Sequence, residues 1–163
     1  MAFSLRAVSP DDFPNLYALD QACFVPGIAW SKAELQYFLR YPGNIALLVE
    51  DEAGRLAGFA IAGRRRRQGA LLGHLITIDV AAGHRRRGIG HLLLEEVERR
   101  LRAAGATAIL LEVAVDNATA QAFYERHGFH STGRIRGYYL GRIDALVMEK
   151  PLSEAGLPDV GIG

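Results

Sequence analysis

The stretch "HRRRGIGHLLLEE", residues 84–96, sets three arginines and two glycines one residue apart directly before an apolar helical pattern. Ahead of it, "ALLGHLITIDV", residues 70–80, reads as a strand ending near Val80. Behind it, Leu93, Val97, Leu101 and Ala104 recur at helical spacing, which predicts a helix over 88–104 with one apolar stripe and Gly105 as its C-cap. The order is therefore strand, glycine- and arginine-rich loop, helix. The first backbone N–H groups of a helix lack carbonyl partners and lie at the positive end of its dipole, so this position favours a phosphate or pyrophosphate. Glycines let the backbone come close, and arginines add forked donors suited to phosphate oxygens. The plainer alternative is a turn flanked by a solvated basic face.

Composition bounds what the rest of the chain can be. A length of 163 residues suits one domain, with 1–152 expected as the folded part and 153–163 as a flexible tail. Half the residues are hydrophobic, and 19 Lys and Arg stand against 18 Asp and Glu, so net charge implies no polyanionic partner. Basic residues do cluster locally, at 64–67, at 85–87 and at Arg99, Arg100 and Arg102. The single cysteine, Cys23, can form no intrachain disulfide and reads as a small buried hydrophobe. No apolar run reaches the length of a membrane span and no secretory signal opens the chain, so a cytoplasmic location is expected. His74, His84, His91, His127 and His130 lack metal-ligand spacing; they read as surface or capping residues, with no metal expected.

Working outward, a short strand around Leu5 turns at Ser9-Pro10 into a helix ending at Cys23, followed by the loop "VPGIAW". Ser31 with Glu34 three residues on makes a capping box for a helix through Leu39, which Pro42-Gly43 stops. Residues 45–50 and 56–62 form a predicted hairpin, and "RRRRQG", residues 64–69, reads as the next turn, with its arginines at a solvated tip. "TAILLEV" is a buried strand; Asp116 or Asn117 then caps a helix over 118–126 that Gly128 ends. "RGYYLGRIDALVMEKPL" supplies the closing strand or strands.

Spacing separates the anion loops that compete for residues 84–96. A P-loop needs Gly-Lys-Ser/Thr, which is absent. A dinucleotide fingerprint needs a small third residue where Leu93 stands, although Glu112 lies about where a ribose-binding acid would. The pattern Arg/Gln-x-x-Gly-x-Gly/Ala is met by Arg85, Gly88 and Gly90. It resembles the coenzyme A pyrophosphate loop of the GNAT superfamily, the acyl-CoA-dependent N-acetyltransferases. "LEVAVDNATAQAFYERHGF", residues 111–129, strengthens the resemblance, since Asn117, Tyr124, Gly128 and Phe129 match that superfamily's spacing. A narrower similarity is to the RimI-type group, which acetylates protein N-termini such as that of an alanine-ended ribosomal protein. It rests on "AWS", "LEV", "YE" and "RGYY" followed by "DALVM", while Val80-Ala81-Ala82-Gly83 departs from the group's usual Val-Asp-Pro-like turn.

The resemblance implies a single-domain α/β fold, with a mixed, mostly antiparallel sheet, a splayed central parallel pair and helices on both faces. It implies acetyl-CoA as cofactor, held by backbone at Ile78, Asp79 and Val80, by Arg85, Arg86, Arg87, Gly88, Ile89, Gly90 and His91, and by Asn117. Glu112 takes the role of general base and Tyr124 that of general acid, roles that a carboxylate and a phenol can fill chemically. Trp30, Tyr138 and Tyr139 are assigned to the acceptor side. Each has a structural alternative: Glu112 paired with an arginine, Tyr124 packed on Ala120, Asn117 only a cap, Trp30 a core or loop anchor. Two adjacent tyrosines in a regular strand face opposite ways, which favours Tyr139 over Tyr138.

An α-amine is neutral at pH 7 about a hundredfold more often than a lysine amine, which favours a protein N-terminus as acceptor. A small-molecule amine or a lysine stays open, as do two other classes, a dinucleotide-dependent oxidoreductase and a nucleic-acid-binding module using residues 64–67. The sequence fixes neither oligomeric state nor a role for those four arginines.

Overall fold

The computed structural model describes residues 2–152, so the expected tail at 153–163 lies outside the described residues. The strands are β1 (Ser4–Ala7), β2 (Ile45–Glu50), β3 (Leu56–Arg67), β4 (Ala70–Val80), β5 (Ala108–Ala114), β6 (His130–Tyr139) and β7 (Ile143–Pro151). The helices are α1 (Phe13–Cys23), α2 (Lys32–Arg40), α3 (Ile89–Ala103) and α4 (Ala118–Arg126), with 3-10 turns at Pro10–Asp12 and Ala82–His84. Hydrogen bonding orders the strands β1-β2-β3-β4-β5-β7-β6. The β4/β5 pair is parallel, whereas β1/β2, β2/β3, β5/β7 and β6/β7 are antiparallel. This is the mixed α/β sheet expected from the sequence. The parallel ladder covers only Leu72–Ala108, Gly73–Ile109 and His74–Leu110, although both strands continue beyond it. Contacts group the chain into two compact units, one of Met1–Gly63 with Leu75–Arg100, the other of Arg64–His74 with Leu101 onward.

In the first unit, Ser31 Oγ accepts the Glu34 N–H at 3.1 Å while Glu34 Oε1 accepts the Ser31 N–H at 2.9 Å, so the capping box starts α2 where the sequence places it. Leu16 of α1 and Leu35 of α2 bury against Leu48, Phe59 and Ile61 of β2 and β3. Strand side chains alternate, so Gly58 faces the other way. A Cβ on Gly58 would lie 2.7 Å from the Asp79 carbonyl oxygen and 2.9 Å from Ile89 Cγ2. Glycine is what lets α3 seat there, and this unit's strands carry α1 and α2 on one face and α3 on the other.

In the second unit β5 buries Ile109, Leu110 and Leu111 and pairs along its whole length with β7. An added Cβ on Gly73 would run into the side chain of Leu101, so this glycine too is required by close packing. Two expectations are corrected. Residues 64–67 are not a turn: β3 runs through Arg67, and the reversal is Gln68 and Gly69 alone, with φ of 51° and 85°. Two left-handed residues match the twist of a tight hairpin, and the long arginine side chains project from strand backbone instead. Ala104 is exposed, because α3 ends one residue earlier and the Ala106 N–H closes on the Leu101 carbonyl; Ile89 and Leu94 join the buried stripe in its place.

Candidate active site

The first unit carries the candidate anion loop. The Leu92 N–H donates to the Gly88 carbonyl at 3.0 Å, so Gly88 is the residue from which α3 starts, and the Ile89 and Gly90 amides belong to its first turn, before intrahelical acceptors exist. Gly88 has φ of 81°, and a Cβ there would meet nothing within 4 Å. Open space over a helix start, with backbone that only glycine adopts cheaply, fits a pyrophosphate group. Arg86 is also left-handed, with φ of 64°, and Arg86 and Arg87 are exposed. Arg85 turns back instead, its Nε donating to the Val80 carbonyl at 3.2 Å, which ties the loop to the end of β4. His91 is exposed in the first turn, 3.6 Å from Glu95.

The turn that departs from the RimI-type pattern has its own support. The Ala81 N–H reaches the Ala57 carbonyl at 2.8 Å, and His84 Nε2 lies 3.0 Å from Asp51 Oδ2. Asp51 in turn accepts the backbone N–H groups of Ala53 and Arg55, and these bonds with His84 hold its carboxyl down to about 2. His84 is therefore an anchor of the loop, not a surface residue. Trp30 has the packing of a loop anchor: its ring meets Phe38 edge-on at 4.8 Å and packs on the core cluster, while its backbone N–H donates to Asp20 at 2.7 Å. Ile78, Asp79 and Val80 occupy the last residues of β4, with the Asp79 side chain buried.

The second unit gathers the acid-base residues. Glu112 sits on β5 with its side chain 13% exposed, and its Oε1 is 2.7 Å from His74 Nε2. Arg65 approaches the other ring nitrogen, Nδ1, at 3.0 Å. A guanidinium can only donate, so Nδ1 accepts and Nε2 carries the hydrogen toward Glu112. The chain Arg65–His74–Glu112 thus occupies one carboxylate oxygen and fixes the direction of the other. Glu112 is paired with a histidine, not the arginine that was its structural alternative. His74, which reads from the sequence as a surface or capping residue, is a partly buried partner of Glu112 that the lack of metal spacing could not reveal. The parallel register that sets His74 beside Leu110 is the missing signal.

Tyr139 donates its hydroxyl to the Glu112 carbonyl at 3.3 Å. The alternation argument against Tyr138 fails, because the β6/β7 register shifts between Ile135 and Tyr139 and Gly137 takes φ of 63°. Asp144 holds this bulge, accepting from the Gly137 N–H and from Arg134 Nε. The two rings meet edge to face at 4.9 Å. Burial and the Glu112 charge push the Tyr138 hydroxyl up; burial, then Tyr138, then Glu112 push Tyr139 up further, so both act as neutral donors at ordinary pH.

Asn117 caps α4, its Oδ1 accepting the Ala120 N–H at 3.1 Å. Gln121, not singled out in the sequence, donates to the Ala114 and Val115 carbonyls and staples α4 to the end of β5. Tyr124 is buried on α4 with its ring between Phe123 and Phe129. Arg67 bonds Glu149 through both terminal nitrogens, so the basic run is partly spent on internal partners. No helix among the described residues is long and apolar enough to cross a membrane, and no cluster of three metal-ligating side chains occurs among them.

Residues 13–129 match the model of the Acetyltransferase (GNAT) family. The [ribosomal protein bS18]-alanine N-acetyltransferase of Salmonella typhimurium is 31% identical over 157 residues, covering 92% of this chain and 98% of the relative. N-alpha-acetyltransferase 30 of Schizosaccharomyces pombe is 31% identical over 117 residues, with 71% of this chain and 77% of the relative covered. The crystal structure of the ribosomal-protein-S18-alanine N-acetyltransferase from Escherichia coli superposes with a TM-score of 0.81 at 28% identity, over 95% of this chain and 97% of that one.

Proposed function

Since this chain belongs to the GNAT acetyltransferase family and is an acetyl-CoA-dependent N-acetyltransferase, we propose that its acceptor is the α-amine at the N-terminus of a protein. The observation that carries the proposal is the held carboxylate: His74 occupies Oε1 of Glu112, which leaves Oε2 as the base toward an incoming amine. Relatives of this chain bear the names of N-terminal acetyltransferases, including one acting on a ribosomal-protein alanine. A single carboxylate base also suits an amine that is often neutral already.

Acetyl-CoA supplies an acetyl group activated as a thioester. In this reading the Ile89 and Gly90 amides with Gly88 and His91 face its pyrophosphate, Arg86 and Arg87 add charge there, and Arg85 keeps the loop on β4. Backbone of Ile78, Asp79 and Val80 pairs with the pantetheine amides, as a strand edge pairs with a peptide. The Val80 carbonyl is already committed to Arg85, which leaves the other backbone groups of that segment for the arm. Asn117 contributes its side-chain NH₂, because Oδ1 is spent on the cap. Glu112 Oε2 accepts the proton of the attacking amine, and the Tyr124 hydroxyl donates a proton to the departing sulfur. Tyr138 and Tyr139 line the acceptor side around Glu112.

A thiol-release assay with acetyl-CoA and short peptides tests the acceptor. Peptides beginning with a free alanine are turned over, and the same peptides with blocked N-termini are not. Turnover of a blocked peptide through an internal lysine, or of a small amine in preference to every free N-terminus, overturns the reading.

A further inference from the structure

Behind the cofactor segment of β4, wholly within the first unit, two carboxyl groups face each other out of reach of water. Asp20 of α1 is 0% exposed and Asp79 of β4 is 1% exposed. Asp20 Oδ2 accepts the Trp30 N–H at 2.7 Å, and Asp79 Oδ1 accepts from Thr77 Oγ1 at 2.6 Å. The remaining oxygens, Asp20 Oδ1 and Asp79 Oδ2, are buried and find no donor among the described residues, while the two side chains are within hydrogen-bonding reach of each other. Two ionised carboxylates cannot bond, since both only accept. One proton resolves this, and the two oxygens left without a donor, Asp20 Oδ1 and Asp79 Oδ2, are the ones it would satisfy.

We propose that Asp20 and Asp79 share one proton and act as a positioning pair, a carboxyl–carboxylate hydrogen bond that ties the loop before α2 to residues 77–80 and holds that backbone for acetyl-CoA. The proposal rests on the reading of 78–80 as the cofactor segment. Charge balance supports it. Cys23 on α1 feels both carboxyls and the Arg85 guanidinium, and Arg85 is turned to the Val80 carbonyl and the Cys23 sulfur, not to either carboxyl. The Cys23 thiol, raised by burial and by the Asp79 charge, stays neutral and donates to the Val80 carbonyl at 3.7 Å. A bound cation is not the answer, because no third metal-ligating side chain among the described residues joins the two. Burial first, and Asp20 second, push Asp79 well above the ordinary carboxylate range, as a shared proton requires.

Asp79→Asn is the informative variant. Its amide NH₂ donates to Asp20 as the shared proton does, and its carbonyl still accepts from Thr77, so it copies the protonated pair without being able to lose the proton. Asp79→Leu removes the bond and leaves Asp20 buried without a partner. Infrared difference spectra of the full chain at pH 7 show a protonated carboxyl band in the parent that Asp79→Asn lacks, a result independent of any function. Calorimetric titration with acetyl-CoA from pH 7 to 10 then shows the parent's affinity falling about tenfold more than that of Asp79→Asn, whereas Asp79→Leu is weakened at every pH. Absence of the carboxyl band overturns the shared proton. Presence of the band with identical pH profiles for parent and Asp79→Asn overturns the positioning role. Should acetyl-CoA bind through other residues altogether, Gly88→Glu leaves the parent affinity intact, and the reading beneath the proposal fails separately.

Discussion

The candidate residues of the two units are built from different physical materials. In the first, the anion loop is backbone: Gly88 at φ of 81°, a helix start, and an arginine folded back on its own strand. Its determinants lie within a few residues of one another. In the second, the proposed base Glu112 is held by a side-chain chain from Arg65 and His74, residues that β3, β4 and β5 bring together across the sequence. A backbone site tolerates side-chain change but not a Cβ or a bent helix; a side-chain relay tolerates neighbouring backbone change but not the loss of one link. Under the proposed roles, the contrast makes binding and turnover separable by mutation.

Glu112→Gln is the largest expected effect, a fall in kcat of about 10²–10⁴-fold in the thiol-release assay, with cofactor affinity nearly unchanged. Tyr124→Phe follows, lowering kcat about 10²-fold, with the loss concentrated in the step that frees the thiol. In the other unit, Gly88→Glu puts a Cβ into left-handed backbone and a carboxylate at a helix start, and weakens acetyl-CoA about 100-fold or more by calorimetry. His74→Ala then sharpens the comparison: it frees Glu112 Oε1 and lowers kcat about tenfold without moving the cofactor Kd. Smallest is a pH effect in the loop's anchor. Asp51 is held at about 2 in the fold, against about 4 when unfolded, so its stabilisation is present above pH 4 and lost as pH falls from there toward 2. Asp51→Asn flattens that acid limb in thermal melts.

The same contrast explains what was legible in the sequence. Capping boxes, glycine stops and the loop at 84–96 are local signals, so α2, α3, α4 and the anion loop fall within a residue or two of where the pattern puts them. The hairpin at Gln68 and Gly69 was misplaced because four arginines look like a solvated tip, whereas the reversal depends on two left-handed residues. Strict alternation, which favours Tyr139 over Tyr138, is broken by the bulge at Gly137, and a bulge held by Asp144 from the facing strand has no local signature. His74, Arg65 and the Asp20/Asp79 pair were missed for one reason: each acquires its meaning from a partner far along the chain.

The separation of binding from turnover is tested most directly by one paired measurement on Glu112→Gln: acetyl-CoA Kd by calorimetry and single-turnover rate with a saturating free-N-terminus peptide. The account predicts a Kd within about twofold of the parent and a rate at least about 100-fold lower, recovering as pH is raised and the amine loses its proton unaided. A rate close to that of the parent, or a loss confined to Kd, would contradict it.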